Sequence, residues 1–211
     1  MSLIYRGKEI FKPLNTGWID ENIACVREYV ANIFFYRKNG TTIMIDAGYN
    51  YERLEEKMCW LGISPAEISH ILITHQDTDH VGAVELDSPG LFRNAKLYIS
   101  EIENRYLIGE VRRNVMHHMY KLPNELAVKS LAKLEENLRK RKQAPIIITG
   151  HTGWSDNLDF AFLHKDKLCS PFCKKVHDPS APYDAYDESD DTEENAKTKK
   201  LLPVGQKNMK R

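Results

Sequence analysis

Short stretches rich in β-branched and aromatic residues, separated by polar turns, occupy the first part of the chain. They cover residues 3–11, 24–36 and 41–45. The last two stretches are joined through Asn39-Gly40, a dipeptide typical of two-residue hairpin turns. This pattern predicts an antiparallel sheet at the start of the fold.

After the hairpin the pattern changes to alternating helices and strands. Residues 51–61 are amphipathic and predict a helix, and residues 64–68, with Pro65 in the first turn, predict a capped turn. Residues 68–73 are apolar and rich in isoleucine, which predicts a buried strand, and residues 97–100 predict another strand with a helix after it. This order predicts an α/β fold, a layered sheet with helices outside, in a single domain.

A second amphipathic helix precedes a last apolar strand. Its apolar stripe consists of four residues at spacings of four, three and four: Ala127, Leu131, Leu134 and Leu138. Residues 146–148 are three isoleucines that predict a strand leading to His151. Residues 153–157 then predict a polar turn.

The composition is that of a soluble globular protein. The 211 residues are 42% hydrophobic and 28% charged, which is enough for one domain with a core and short for two. Thirty basic residues balance thirty acidic ones, which argues against a nucleic-acid-binding surface. We see neither an apolar run that could cross a bilayer nor a leader sequence, so we expect no membrane association and a cytoplasmic location.

The four cysteines fit that compartment, where thiols stay reduced. Cys25 and Cys59 are expected in the core. Cys169 and Cys173 lack a matching second pair, so we interpret them as a chance pair rather than a zinc knuckle.

The last part of the chain is highly charged. Seven of the eleven residues from 184 to 194 are acidic, and several basic residues follow them. Such a composition does not bury enough apolar surface to offset the entropy lost on ordering. We therefore expect a folded domain over residues 1–178 and a disordered charged tail over residues 179–211.

One loop concentrates the side chains that bind borderline divalent ions. Residues 74–82 place His75, Asp77, Asp79 and His80 directly after the predicted strand 68–73. Imidazole and carboxylate groups bind zinc, manganese or ferrous iron, and a solvated turn has no use for paired histidines at this spacing. The loop therefore predicts a metal site, with zinc first and iron or manganese as alternatives.

This loop resembles the signature of the metallo-β-lactamase superfamily, His-x-His-x-Asp-His followed by a glycine one residue later. The chain has His75-x-Asp77-x-Asp79-His80 and then Gly82. Asp77 stands where the family usually has histidine, as in members of the flavodiiron type, which tend to bind iron.

Two other segments agree with the resemblance. Asp46-Ala47-Gly48 is similar to the family's strand ending in Asp-x-Gly, and residues 146–151 are similar to its last strand and terminal histidine ligand. The resemblance implies an αββα-type layered fold. It also implies that Asp46 braces the metal-binding loop, while a plain strand-end turn with Gly48 is an equal and compatible interpretation.

The resemblance further implies a ligand set. One metal position would take His75, Asp77 and a middle histidine, and the other Asp79, His80, His151 and a bridging aspartate. The middle histidine and the bridging aspartate have no recognisable counterparts here, which suggests an incomplete second half, shortened near residue 124. We therefore expect one occupied position, at Asp79, His80 and His151, and a partial or empty neighbour.

The histidines between these motifs, His117 and His118, either supply the missing ligand or belong to a helix or lid. The second interpretation is favoured because nothing in their setting repeats a known ligand spacing.

The function implied is that of a metal-dependent hydrolase acting on a small-molecule substrate. Metal-bound hydroxide would attack an ester, thioester, lactam or phosphoester, and Asp79 would also orient the water and handle its proton. A catalytically impaired relative that binds at most one metal is the alternative. An iron-dependent redox protein is a third hypothesis, although no flavin-binding segment is visible.

Overall fold

A computed structural model of the chain describes residues 13–84, 90–111, 125–142, 145–151, 153–162 and 188–198. Six strands form one sheet in the order β1 to β6. They are β1 Gly17–Trp18, β2 Ile23–Glu28, β3 Ala31–Lys38, β4 Thr41–Ile45, β5 Ile68–Ile73 and β6 Lys96–Ile99. The first four strands are antiparallel neighbours, as the hairpin pattern predicts, whereas β5 and β6 join in parallel.

Helices connect and cover these strands, which confirms the predicted α/β layering. They are α1 Tyr51–Trp60, α2 Thr78–Val81, α3 Glu101–Leu107, α4 Glu125–Arg139, α5 Leu158–Ala161 and α6 Glu193–Thr198, with short 3-10 turns at Pro65–Glu67 and Glu188–Asp190. Within the described residues, no helix is long and apolar enough to cross a membrane.

The stretch predicted as one strand over residues 24–36 is two strands, β2 and β3, joined by a turn at Tyr29 and Val30. Tyr29 has a φ of 51°, a left-handed conformation that is uncommon for a bulky residue. The turn lacks the glycine or asparagine that usually marks such sites, so the apolar pattern runs through it without a break. The predicted Asn39-Gly40 turn is confirmed, with both residues at positive φ.

The main core lies between the sheet and α1. Phe35 and Met44 from the sheet pack with Leu54 and Met58 from one face of the helix, and all four are fully buried. Asn50 caps the helix by accepting a hydrogen bond from the Arg53 N–H.

The two cysteines in the described residues differ. Cys25 is buried as expected, but Cys59 is exposed, so its predicted place in the core is wrong. Cys59 lies on α1 one residue beyond the buried Met58, on the side that faces solvent.

The last predicted strand exists as β7 Ile147–Thr149, but it does not join the main sheet. It pairs with β8 Gly153–Ser155, so the turn predicted over residues 153–157 is wrong at its first three positions. In α4 the predicted apolar stripe is only partly buried, because Leu138 packs inside while Leu134 is 47% exposed.

Part of the segment for which the charge pattern predicts disorder is placed against the domain. Asp191 accepts hydrogen bonds from Lys57 on α1 and from the Thr16 backbone N–H, and Ala196 on α6 is buried. The ion pair with Lys57 and the burial of Ala196 are the contacts that hold this acidic segment on the domain. The domain bounds 1–178 and 179–211 stay a prediction.

Candidate metal centre

The metal-binding loop lies at one edge of the sheet, where the parallel strands β4 and β5 end. Asp46 follows β4, Thr74 follows β5, and the short helix α2 carries Asp79 and His80 back towards the same edge. The backbone fixes this arrangement, since the Ala47 N–H donates to the His80 carbonyl at 2.7 Å. Residues distant in sequence therefore meet at one place.

The glycines of this edge allow a close approach of two backbones. The Gly82 N–H donates to the Gly48 carbonyl at 2.7 Å, and a methyl group added at Gly82 would lie 2.5 Å from the Tyr49 carbonyl oxygen. Gly48 itself has a φ of 64°. Both positions therefore need glycine, which explains why each motif contains one.

Three of the predicted ligands come together. Nε2 of His80 and Nε2 of His151 are 3.1 Å apart, and Oδ2 of Asp79 lies 3.5 Å from the first and 3.8 Å from the second. Among the described residues these are the one group of three metal-ligating side chains whose donor atoms are mutually within 4.8 Å.

The ring of His80 is held by a buried carboxylate. Nδ1 of His80 donates to Oδ2 of Asp46 at 2.7 Å, because a carboxylate can only accept. Oδ1 of Asp46 accepts from the Thr74 N–H at 2.8 Å and from the Thr74 hydroxyl at 2.9 Å. Asp46 thus orients His80 and ties it to the end of β5, so that Nε2 faces Asp79 and His151.

His151 is held in the same way by a backbone group. Nδ1 of His151 lies 2.7 Å from the Val30 carbonyl oxygen, which has no proton to give, so the ring nitrogen donates. The Asn32 N–H donates to the Gly150 carbonyl at 2.7 Å and fixes the adjoining backbone. Val30 in the turn between β2 and β3 therefore directs the Nε2 lone pair of His151 into the site.

This geometry fits a divalent metal ion. With both Nδ1 atoms donating, two lone pairs face each other across 3.1 Å, and a proton or a cation between them is needed to remove the repulsion. A tetrahedral ion with metal–nitrogen bonds of 2.0–2.1 Å separates its ligand atoms by about 3.3 Å. The three separations, 3.1, 3.5 and 3.8 Å, lie within about 0.5 Å of that value.

Burial and close charged neighbours shift the pKa values of three side chains of the site. Burial alone would lower the pKa of His80, but its hydrogen bonds to Asp46 and Asp79 outweigh that effect and raise the pKa to about 9. The hydrogen bond with His80 holds the pKa of Asp79 below its usual range. Burial and the neighbouring His80 lower the pKa of His75.

His75 and Asp77 lie beside the group of three. Nε2 of His75 is 3.3 Å from Oδ2 of Asp77, and the rings of His75 and His80 are 3.9 Å apart between centroids. Within the described residues this pair has no third ligand that completes a second group. His117 and His118 lie outside the described residues.

A pocket of about 570 Å³ opens next to these ligands. Among the residues that the structure describes, its lining consists of Tyr29, Val30, Tyr49, Asp77, Thr78 and Asp79. The sequence pattern did not single out the first three of these. The signal available for Tyr49 was its place beside the turn considered at Gly48. Tyr29 lies in a stretch whose pattern predicts no turn, and the backbone contact of Val30 leaves no trace in the sequence.

The family model described as the metallo-beta-lactamase superfamily matches residues 26–153, more than half of the chain. Among solved structures, a Cronobacter sakazakii metallo-beta-lactamase with a HARLDQ motif is similar, with 19% identity, a TM-score of 0.43 and coverage of 52% of this chain and 43% of that one.

Two further structures are similar over shorter stretches. One is BJP-1, a subclass B3 metallo-beta-lactamase of Bradyrhizobium japonicum, with 22% identity and a TM-score of 0.40, covering 47% of this chain and 38% of that one. The other is AidC, a dizinc quorum-quenching lactonase, with 28% identity and a TM-score of 0.34, covering 41% of this chain and 30% of that one. The chain thus spans less than half the length of each of these structures. No curated protein sequence matches it.

Proposed function

The chain belongs to the metallo-beta-lactamase superfamily, and from this premise we propose that it is a metal-dependent hydrolase of a small-molecule substrate. Asp79, His80 and His151 would hold one divalent ion, with zinc as the first choice. Two imidazole nitrogens and one carboxylate oxygen are a common protein ligand set for a catalytic zinc ion, which keeps a further position open. The substrate would be a small ester, thioester, lactam or phosphoester.

The single observation that carries this proposal is the orientation of the two histidines. Each Nδ1 is engaged by an acceptor, Asp46 or the Val30 carbonyl, and each Nε2 is thereby directed at the other and at Asp79. Two histidines that served only in packing would not need both Nε2 atoms aimed at each other and at a carboxylate. The arrangement resembles a ligand set braced by neighbouring acceptors.

A bound divalent ion would supply Lewis acidity, lowering the pKa of a water and polarising the carbonyl or phosphoryl oxygen of the substrate. The chain's own residues supply position and proton transfer. Asp79 would orient the attacking water and accept its proton, and its position at the border of the pocket beside both imidazoles supports this role. The carbonyl of Val30 and the carboxylate of Asp46 keep both rings from turning away.

A relative with impaired activity is the second candidate. It is favoured by the pair His75 and Asp77, for which the described residues offer no third ligand. Such a protein would keep the ion at Asp79, His80 and His151 without turnover.

Metal content and turnover together separate the two candidates. Purified protein is loaded with zinc, dialysed and assayed for metal per chain, and then tested on chromogenic esters, thioesters, lactams and phosphoesters. The hydrolase proposal expects about one ion per chain and turnover that a chelator abolishes. About one ion without turnover on any substrate class favours the impaired relative, and dialysed protein without any ion contradicts both.

Substitutions test the ligand assignment. We expect His80→Ala and His151→Ala each to lower metal content far more than His117→Ala or His118→Ala. His70→Ala is a matched control from the described residues, because His70 lies on β5 and stacks on Tyr98 away from the site. Equal losses in all of these variants would mean that the ligand set is wrong.

A further inference from the structure

The pocket beside the candidate metal centre has two unlike sides. Tyr29, Val30 and Tyr49 form an apolar wall, and Asp77 and Asp79 with a threonine form the side nearer the ligands. The described lining contains no basic side chain. A carboxylate or phosphate on the part of a ligand that lies along the wall would therefore find no basic side chain among the described lining residues, whose charged groups are the carboxylates of Asp77 and Asp79.

The two tyrosines of this wall are exposed yet held in place. Tyr29 is 46% exposed and Tyr49 is 52% exposed, and their rings meet edge to face with centroids 5.6 Å apart. Paired aromatic rings that remain open to solvent beside a pocket leave apolar surface uncovered. Such surface is typical of places where a ligand binds.

Arg53 fixes the ring of Tyr29. Its guanidinium carbon lies 3.7 Å from the ring centroid, and its Nη2 donates to the Tyr29 hydroxyl at 2.6 Å. The arginine covers one face of the Tyr29 ring, and its side chain is not among the described lining residues of the pocket.

Glu28 fixes the backbone of Tyr49. Its buried carboxylate accepts hydrogen bonds from the backbone N–H groups of Tyr49 and Asn50, where the chain enters α1. Both rings of the wall are thus positioned before a ligand arrives, which lowers the entropy lost on binding.

We propose that Tyr29 and Tyr49 form the wall that receives an uncharged hydrocarbon acyl group of the substrate, so that the preferred substrates are acyl esters with a neutral aliphatic chain. This inference rests on the proposed hydrolase function and adds the substrate class to it. The acyl chain would lie along the rings while its carbonyl reaches the side of the pocket that Asp79 borders.

The test is a series of p-nitrophenyl esters with acetyl, butyryl and hexanoyl groups, measured with zinc-loaded protein. Half-burial of each added methylene predicts a rise in kcat/KM of about twofold, or about 16-fold from acetate to hexanoate, carried mainly by KM. In Tyr49→Ala this ratio falls to less than about fourfold, while Tyr49→Phe retains it because the ring remains. Tyr98→Ala, which removes a ring of similar exposure on β6, serves as the matched control and retains it.

A second measurement does not require turnover. Saturation-transfer NMR with hexanamide, an uncharged acyl amide, reports contact of the protein with the end of the acyl chain. We expect transfer in the wild type, in Tyr49→Phe and in Tyr98→Ala, and a loss of at least about threefold in Tyr49→Ala.

The inference is overturned if Tyr49→Ala keeps the wild-type ester ratio, or if Tyr98→Ala loses it equally. If the esters are not hydrolysed but a thioester, lactam or phosphoester is, the inference is overturned and the hydrolase proposal stands. If no substrate of these four classes is hydrolysed in the presence of zinc, iron or manganese, it is the hydrolase proposal that fails. Saturation-transfer NMR with hexanamide then tests whether the wall binds an acyl chain, without any need for turnover. Equal transfer to hexanamide in the wild type and in Tyr49→Ala overturns the proposed role of the wall.

Discussion

Replacing Asp46 with asparagine tests how the site is held without removing a ligand. The carboxylate is buried, with its side chain 8% exposed, and it accepts from Nδ1 of His80 and from the N–H and hydroxyl of Thr74. Asparagine has nearly the same shape and tolerates the left-handed backbone at this position, where φ is 62°. The change therefore acts on the hydrogen bonds and leaves the fold of the turn in place.

The cost follows from what the amide can no longer do. If the amide oxygen keeps the Thr74 N–H, the NH2 group faces Nδ1 of His80, and the ring must carry its proton on Nε2, where it blocks the metal. If the amide is reversed, the NH2 group faces the Thr74 N–H, and a buried donor loses its acceptor. Loss of such a partner of a metal ligand weakens binding by about 10-fold to 100-fold, or about 1.4–2.8 kcal/mol.

The assay is a competition titration of zinc against a chromophoric chelator for the wild type and Asp46→Asn, accompanied by thermal unfolding. Asp77→Asn is the matched control, since it makes the same substitution in the same loop at a carboxylate outside the group of three. Unchanged zinc affinity in Asp46→Asn, or an equal loss in Asp77→Asn, would refute the reasoning. Nitrogen NMR of the His80 ring adds a direct reading of which ring nitrogen carries the proton.

Three further predictions concern stability. The pKa of His80 is raised from 6.5 to about 9 in the folded chain. In chelator-treated protein its contribution to the free energy of unfolding is therefore complete below pH 6.5 and is lost as the pH rises through about 9. Urea titrations from pH 6 to about 10 measure this fall in stability, and a rise in stability across that window contradicts the prediction. Lys57→Met leaves the buried Asp191 without its cation and should lower the free energy of unfolding by about 3–5 kcal/mol in guanidinium titrations, whereas a loss below about 1 kcal/mol would mean that the acidic segment is not anchored there. Glu28→Gln keeps one acceptor for the two N–H groups of Tyr49 and its neighbour and should cost about 1–3 kcal/mol in thermal unfolding, and unchanged stability would show that this carboxylate does not hold the turn.

The metal-binding loop could be predicted from the sequence because its signal is local. Asp77, Asp79 and His80 follow one apolar strand directly, and their carboxylate and imidazole groups indicate metal binding. Asp46 was placed near them through the resemblance of residues 46–48 to the family's Asp-x-Gly, and the structure brings it there because β4 and β5 are parallel and end at the same edge of the sheet.

Contacts of a side chain with a backbone group that is distant in sequence could not be predicted in this way. Nδ1 of His151 is held by the carbonyl of Val30, 121 positions earlier, and every residue type has such a carbonyl. The turn that presents this carbonyl contains Tyr29 rather than glycine, so a continuous strand was predicted over residues 24–36. His151 itself was assigned through a resemblance to the last strand of a family, and the pairing of that strand with β8 was missed.

Charge patterns in particular depend on partners elsewhere in the chain. The acidic run that includes Asp191 predicts disorder when it is considered alone. Lys57 lies 134 positions earlier on a helix whose apolar face gives no sign that one of its lysines is buried. A composition rule cannot find such a pair, because it counts charges without regard to which of them meet.

The measurement that tests the central claim most directly is anomalous diffraction at the zinc edge from a zinc-loaded crystal. We predict one strong peak between the three side chains, within about 2.0–2.2 Å of Nε2 of His80, Nε2 of His151 and a carboxylate oxygen of Asp79. A peak bound elsewhere, or a peak that leaves either histidine outside coordination distance, would contradict the claim that these residues share one metal ion.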